Sequence, residues 1–540
     1  MSYDPSNPRV YFDIGEAIAA IAILLAFTAL ANPTRKFRWK LGWFRLPAAY
    51  ILFFAAITFV IVAALVPLLP RPAICVFGYA LFWEVLAGVF FALGSVGLIV
   101  SGELPVRFGR RNYKQFFKEC SHIIAQGENA ELGALADEVG HSAEPVVGLC
   151  KGYDRMRARF AREKGEQYKT SEVAEWTAEL LKLWSDKKFC NTIVVHCPST
   201  AIRYFREIQK QHLYGSGGYF FVQQLIREAF RDEDSILHRE EPHYGLGHFM
   251  PFTQAVFGDY AFVNSEFRPL QAAGHSFRKL KVLEKFGACL KIALESYLAA
   301  GRWYEHPSAL WCGVDVLVNS AREFTPIFES EDMWVPVEDR PSWALWRIVG
   351  IFRDMLELIQ KAEATIPDYA FDATHYDHFR DDSIYGVMAR GIYEFLDPLS
   401  RVKGHDEDVR QTAIQLWMEV YPVAKDEESK TLVEIQKRLE HQLWEQVTKN
   451  LEDARMCYPM ITRLLVSLEG LHEEKETGGG RRRVRDELHR LLRAKFRKAA
   501  QLTEARAVEL LPDWARYDKE RGEIVERDRW GEIRTVFRVE

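Results

Sequence analysis

In the stretch NTIVVHCPSTAIRYF, Cys197 is followed after five residues by Arg203. A cysteine can act as a thiolate nucleophile, and an arginine can grip a phosphate bidentately. The chemistry needs a loop whose amides converge on the anion, with a helix N-terminus behind it to lower the thiol pKa. Ile193 to Val195 reads as the strand entering such a loop, and Ala201 onward as the helix leaving it. Pro198 opposes the reading, because it has no N–H to donate beside the nucleophile.

The C-x5-R spacing resembles that of the cysteine phosphatases, which implies Cys197 as thiolate nucleophile, Arg203 as phosphate grip, and a general acid farther away than Asp186, eleven residues before the cysteine. A second copy runs from Cys457 to Arg463, inside the helical-looking CYPMITR. One such copy is about what composition alone produces, here there are two, and short motifs are weakly specific. The preferred reading of the stretch is a buried strand-turn-helix, with Pro198 at the turn and Ser199 or Thr200 as N-cap.

Metal-ligating types gather at His375, Asp377 and His378, beside Asp372, Asp381 and Asp382. Imidazole and carboxylate at such spacings suit zinc or a non-haem metal. A second set, His238, His243 and His248, surrounds Glu240 and Glu241. Neither forms an HExxH pair, and both sit in polar loops where these residues commonly cap helices. YGSGGYFF, residues 214–221, lacks the Lys-Ser/Thr of a P-loop. No cofactor fingerprint is present, so none is expected, and the balance leans away from an enzyme.

Two further groups carry charge in unusual settings. Glu84 lies within the apolar run VFGYALFWEVLAGVFFALGSVGLIV, where an ionised carboxylate is expensive. RRRVRDELHRLLRAKFRK, residues 481–498, offers Arg481, Arg482, Arg483, Arg485, Arg490, Arg493 and Lys495 to lipid headgroups or phosphates. Val484, Leu488, Leu491, Leu492 and Phe496 fall on or near one face. The preferred reading is a solvated helix whose apolar side joins the core. Lipid comes second and nucleic acid third.

The elements that position these residues follow from hydropathy. Three apolar runs, at about 13–32, 47–69 and 76–100, are each long enough to cross the roughly 30 Å hydrocarbon core as a helix. Arg35, Lys36, Arg38, Lys40 and Arg45 follow the first run, and Arg107, Arg110, Arg111 and Lys114 the third. Positive residues stay inside. The N-terminus is therefore expected outside the plasma (inner) membrane and the C-terminal region in the cytoplasm, with Trp39, Trp43 and Phe44 at the inner headgroups. A net charge of -5 disfavours a general nucleic-acid binder, and eight scattered cysteines suggest no disulfide framework.

Beyond the spans the pattern is helical. Amphipathic stripes run at 172–183, 201–211, 220–230, 278–298, 343–362, 409–421 and 429–451. Only 193–195 and EIRTVFRV near the C-terminus read as strands. The expected fold is a membrane protein with three N-terminal transmembrane α-helices and a mainly α-helical cytoplasmic region, open to an irregular α-solenoid, with little β. Its expected domains are 1–102 (transmembrane), 103–470 (helical), a linker at 471–480, and 481–540 (basic helix and tail). The function expected is a membrane-anchored sensor, scaffold or effector. Its partners would be the bilayer and a cytosolic protein or a second copy. The alternatives are a membrane-tethered hydrolase, at Cys197 and Arg203 or at His375, Asp377 and His378, and an effector that permeabilises the bilayer.

Overall fold

The computed structural model describes residues 14–65, 80–151, 153, 163–164, 170–214, 217–240, 250–303, 305–324, 341–367, 383–401, 407–422, 429–449, 463–468, 479–500, 511, 515–527 and 533–539. They are mostly helical with little sheet. The chain divides into two compact units, Met1–Ile236 and Leu237–Glu540.

In the first unit the apolar runs become α1 (Ile14–Ala29), α3 (Leu46–Leu65) and α4 (Ala80–Glu103). At 1.5 Å per residue, the 20 residues of α3 extend roughly 30 Å and the 24 of α4 roughly 36 Å. These two helices are long and apolar enough to cross a membrane. The described 16 residues of α1 extend only about 24 Å, so the first expected span does not meet the same test. Ala49, Phe53, Ala56 and Val60 of α3 are buried, as are Ala87 and Leu98 of α4, while Ile51, Phe54, Val85 and Leu93 face outward. Gly94 permits this seam, since a Cβ there would meet the Phe53 ring at 2.9 Å.

The basic segment after α1 is a helix, α2 (Pro33–Leu41). Asn32 caps it by accepting the Arg35 amide at 2.8 Å, and Pro33 occupies the first turn, where its missing N–H costs nothing. Trp39 is buried rather than lying among headgroups, and its indole N–H donates to the Leu98 carbonyl at 2.9 Å. Trp43 is exposed, as a headgroup anchor would be.

Among the described residues this unit holds seven more helices: α5 (Tyr113–Gln126), α6 (Asn129–Gly140), α7 (Ala143–Cys150), α8 (Glu172–Trp184), α9 (Lys187–His196), α10 (Pro198–Lys210) and α11 (Tyr219–Arg231). Phe116, Trp184, Tyr204 and Phe221 make its aromatic centre, with ring centroids 5.3–6.4 Å apart. Residues 193–195 belong to α9, so the strand expected there is absent.

The second unit stacks α12 (Leu280–Ala300), α13 (Ser308–Phe324), α14 (Pro341–Lys361), α15 (Ile384–Arg401), α16 (Glu407–Val420) and α17 (Lys430–Lys449). Each packs on the helix two positions along: α12 on α14, α13 on α15, α14 on α16, α15 on α17. Buried Asp397 ties the stack together, accepting from Arg322 at 3.3 Å and Arg463 at 3.1 Å. Two guanidiniums offset the cost of desolvating one carboxylate.

Among the described residues the last helix, α18 (Gly479–Ala500), precedes a three-stranded antiparallel sheet of β1 (Ala515–Asp518), β2 (Glu523–Arg527) and β3 (Ile533–Arg538). Residues 479–480 of the expected linker start α18, and the rest of it lies outside the described residues. The expected C-terminal strand is present as β3. The hairpin before it turns through Asp518, whose carboxylate accepts the Glu520 and Arg521 amides, and through Gly522 at φ +61°.

Candidate functional site

Among the described residues of the first unit, a polar network joins the apolar helices to the helices beyond them. It starts from α2, whose amphipathic turn aims Arg38 between α4 and α6. Arg38 donates through Nε to Glu138 Oε1 at 2.8 Å and through Nη1 to the carbonyls of Gly102 at 3.0 Å and Glu103 at 2.6 Å. The last carbonyls of α4 have no partners within their own helix, and a cation suits the negative end of its dipole. Glu138 is wholly buried, and its second oxygen accepts the Val106 amide at 3.3 Å. Arg35 pairs with Glu103, and Lys40 with Glu119 at 2.9 Å. Gln115 donates to the Lys40 carbonyl at 2.8 Å. The end of α4 is thus clamped to α6 rather than tethered by a loop.

The opposite side of α6 meets the stretch that carries Cys197. Asp186 caps α9 by accepting the Phe189 amide at 2.9 Å. Cys197 both ends α9 and begins α10, with Pro198 as the first residue of α10. The helical hinge therefore replaces strand, loop and helix, and the N-cap is Cys197 rather than Ser199 or Thr200. The thiol is half-buried and faces the Gly133 carbonyl at 3.6 Å. Burial and the nearby Asp137 carboxylate push its pKa up, opposite to what a thiolate nucleophile requires. Arg203 is exposed on α10. Thr200 and Tyr204 donate to the carbonyls of Ala136 at 2.8 Å and Val139 at 3.0 Å, so this face of α10 is committed to packing on α6.

Asp137, Glu138 and His141 bring possible ligand atoms within 4.8 Å of one another. The Arg38 guanidinium already neutralises Glu138, and its charge opposes a metal cation there. His375, Asp377 and His378 lie outside the described residues, as do His243 and His248. Glu240 is buried in a capping role: it accepts the Phe252 amide at 2.5 Å, the Thr253 amide at 3.1 Å and the Thr253 hydroxyl at 2.6 Å. Glu84 is half-buried in the first turns of α4.

The basic helix α18 buries Val484, Leu488, Leu492 and Phe496. Phe496 packs on Tyr517 with centroids 5.1 Å apart, and His489 stacks on Phe537 at 5.0 Å. The apolar stripe that a lipid surface would need is therefore buried within the fold. Arg482, Arg483, Arg490 and Arg493 are exposed, Arg483 pairing with Glu440 at 2.9 Å, and Arg485 is half-buried. The Arg481 and Lys495 side chains lie outside the described residues.

Of the tryptophans, Trp303 is buried and Trp311 lies 3.6 Å under the Arg390 guanidinium. Trp343 and Trp346, by contrast, are 53% and 42% exposed, near one turn apart on α14. With Leu280, Arg347, Gly350, Arg353 and Gln415 they line an open cleft of about 310 Å³. The helical period placed these residues on α14, but nothing local told the exposed tryptophans from the buried ones. Comparison with known proteins finds no matching family model, no similar curated protein and no similar solved structure.

Proposed function

We propose that the chain is a membrane-anchored scaffold or effector whose helical region binds a cytosolic protein partner. The observation that carries this reading is the Trp343–Trp346 cleft. Tryptophan and arginine dominate the energetics of protein interfaces, and two large indoles left in water on one helix face are costly unless covered. The membrane anchor comprises three spans, α1 with α3 and α4, in the inner membrane with the N-terminus outside. In support, α2 and the segment after α4 concentrate the basic residues at one end of the apolar helices.

A photo-crosslinking residue at position 346 of the full chain in native membranes tests this. A discrete protein adduct that disappears in Trp343→Ala supports it. No adduct, or the same adduct from exposed position 203, sinks it. The hydrolase reading at Cys197 loses its rationale with a raised thiol pKa. Its metal-dependent form, at His375, Asp377 and His378, is tested by the metal content of the purified chain.

A further inference from the structure

We infer that α18, braced by β3, carries a cleft for a ligand with more than one phosphate group, gripped by Arg485, Arg490 and Arg493 with His489 between them. Its source is the division of labour on α18. Val484, Leu488, Leu492 and Phe496 are consumed by burial, and the flank of the helix beside them is left to charge. Arg485, His489 and Arg493 follow one another at intervals of four, with Arg490 alongside. Together with Asp486 and Ala494 they line an open cleft of about 600 Å³. That volume lies within the range of about 300–1,000 Å³ typical of small-ligand sites.

The sheet holds two of these groups ready. His489 lies stacked on the Phe537 ring, with centroids 5.0 Å and planes 21° apart. Arg493 gives its Nε to the Arg538 carbonyl at 3.1 Å, with its guanidinium carbon 5.9 Å from the Phe537 centroid. Fixing the Nε edge costs the side chain its rotamer freedom in advance, and its Nη groups carry no bond among the described residues. Arg490 is 72% exposed and tied only to its helix neighbour Glu487 among the described residues. Three guanidiniums face one acid, Asp486, so the lining carries surplus positive charge.

Guanidinium, planar and forked, matches phosphate oxygens bidentately. From Arg485 to Arg493 is eight residues, about 12 Å along the helix, more than one phosphate group covers. The ligand therefore presents several. A soluble polyphosphate such as a nucleoside triphosphate and a multiply phosphorylated inositol headgroup share this chemistry. The inference stands independently of partner binding at Trp343 and Trp346.

Calorimetric titration of the detergent-solubilised full chain with inorganic tripolyphosphate, and separately with a soluble short-chain phosphatidylinositol bisphosphate, tests it. We expect saturable, salt-sensitive binding of at least one probe. Arg490→Ala and Arg493→Gln should each weaken it by about tenfold or more, the worth of one charge-assisted contact. Arg482→Ala, exposed on the same helix but outside the cleft lining, should bind like the parent chain. Binding of tripolyphosphate identifies a soluble ligand, and binding of the lipid alone identifies a headgroup; both support the cleft. Arg490 lies at an exposed position, so its removal leaves the fold intact. The inference is overturned if neither probe binds saturably, if Arg490→Ala binds as the parent does, or if Arg482→Ala loses as much.

Discussion

Arg38→Met strips the clamp between α4 and α6 at its centre. The variant leaves the Glu138 carboxylate, with a side chain 0% exposed, facing the Val106 amide at 3.3 Å as its remaining described partner. Removing one member of a buried ion pair costs about 3–5 kcal/mol, because the surviving charge is desolvated without compensation. Methionine keeps most of the apolar stem of arginine, so the loss is electrostatic rather than a cavity. In a unit of this size each kcal/mol lowers Tm by about 2–4 °C, which predicts a fall of about 6–20 °C. The assay is thermal melting of the purified full chain in detergent, followed by the helical circular dichroism signal.

Glu138→Leu should cost less, since Arg38 keeps the carbonyls of Gly102 and Glu103 and its side chain is 13% exposed. The double variant should recover part of the Arg38→Met loss, giving a coupling energy of about 1–3 kcal/mol. Melting of Arg38→Met within about 2 °C of the parent, roughly 1 kcal/mol or less, would refute the reasoning. So would a Glu138→Leu variant less stable than Arg38→Met.

At α6, Gly140→Ala places a methyl 2.5 Å from the Thr200 hydroxyl and should destabilise by about 1–3 kcal/mol. Gly133→Ala, on the same helix with open space around it, should be neutral or stabilise by up to about 1 kcal/mol. Equal melting temperatures for these two variants would contradict the packing. Because its pKa is raised, the Cys197 thiol should react with iodoacetamide more slowly than an exposed cysteine near neutral pH, the gap closing as pH rises; faster labelling than free glutathione would reverse the argument. For Glu434, burial raises the pKa, but hydrogen bonds from Lys437 and Arg438 outweigh it and hold the carboxyl below its usual range. The ionised form is favoured in the fold, so its contribution is complete above about pH 4.3 and is lost as pH falls through the lower folded value. Glu434→Gln should flatten that part of the acid-unfolding profile, and an unchanged profile would rule the contribution out.

The stacked helices were readable in advance to within a few residues. The stripe expected at 278–298 is α12 at Leu280–Ala300, and that at 409–421 is α16 at Glu407–Val420. Such helices bury one face, and burial of one face writes a 3.6-residue period into the chain. Where that condition fails, so does the reading. Ile193 and Val194 are adjacent and both fully buried, because α9 packs on α6 from one side and α11 from another. A helix covered on two sides loses its period, and a β-branched run then resembles a strand. The hairpin of β1 and β2 was missed for a simpler reason: its strands have four and five residues, too few to show alternation clearly.

By itself the amino-acid sequence determined what depends on neighbours along the chain. Two apolar runs long enough for a bilayer, the helical region behind them and the charge of α18 all follow from local composition and period. Tertiary structure decided which charges and aromatics are spent on the fold. Arg38 and Glu138 stand 100 residues apart, and no local pattern pairs them. The same holds for Cys197, whose motif spacing suggested a nucleophile until packing set its thiol beside Asp137 and the Gly133 carbonyl. Reactivity depends on burial and on facing charges, and those are supplied by residues distant in sequence.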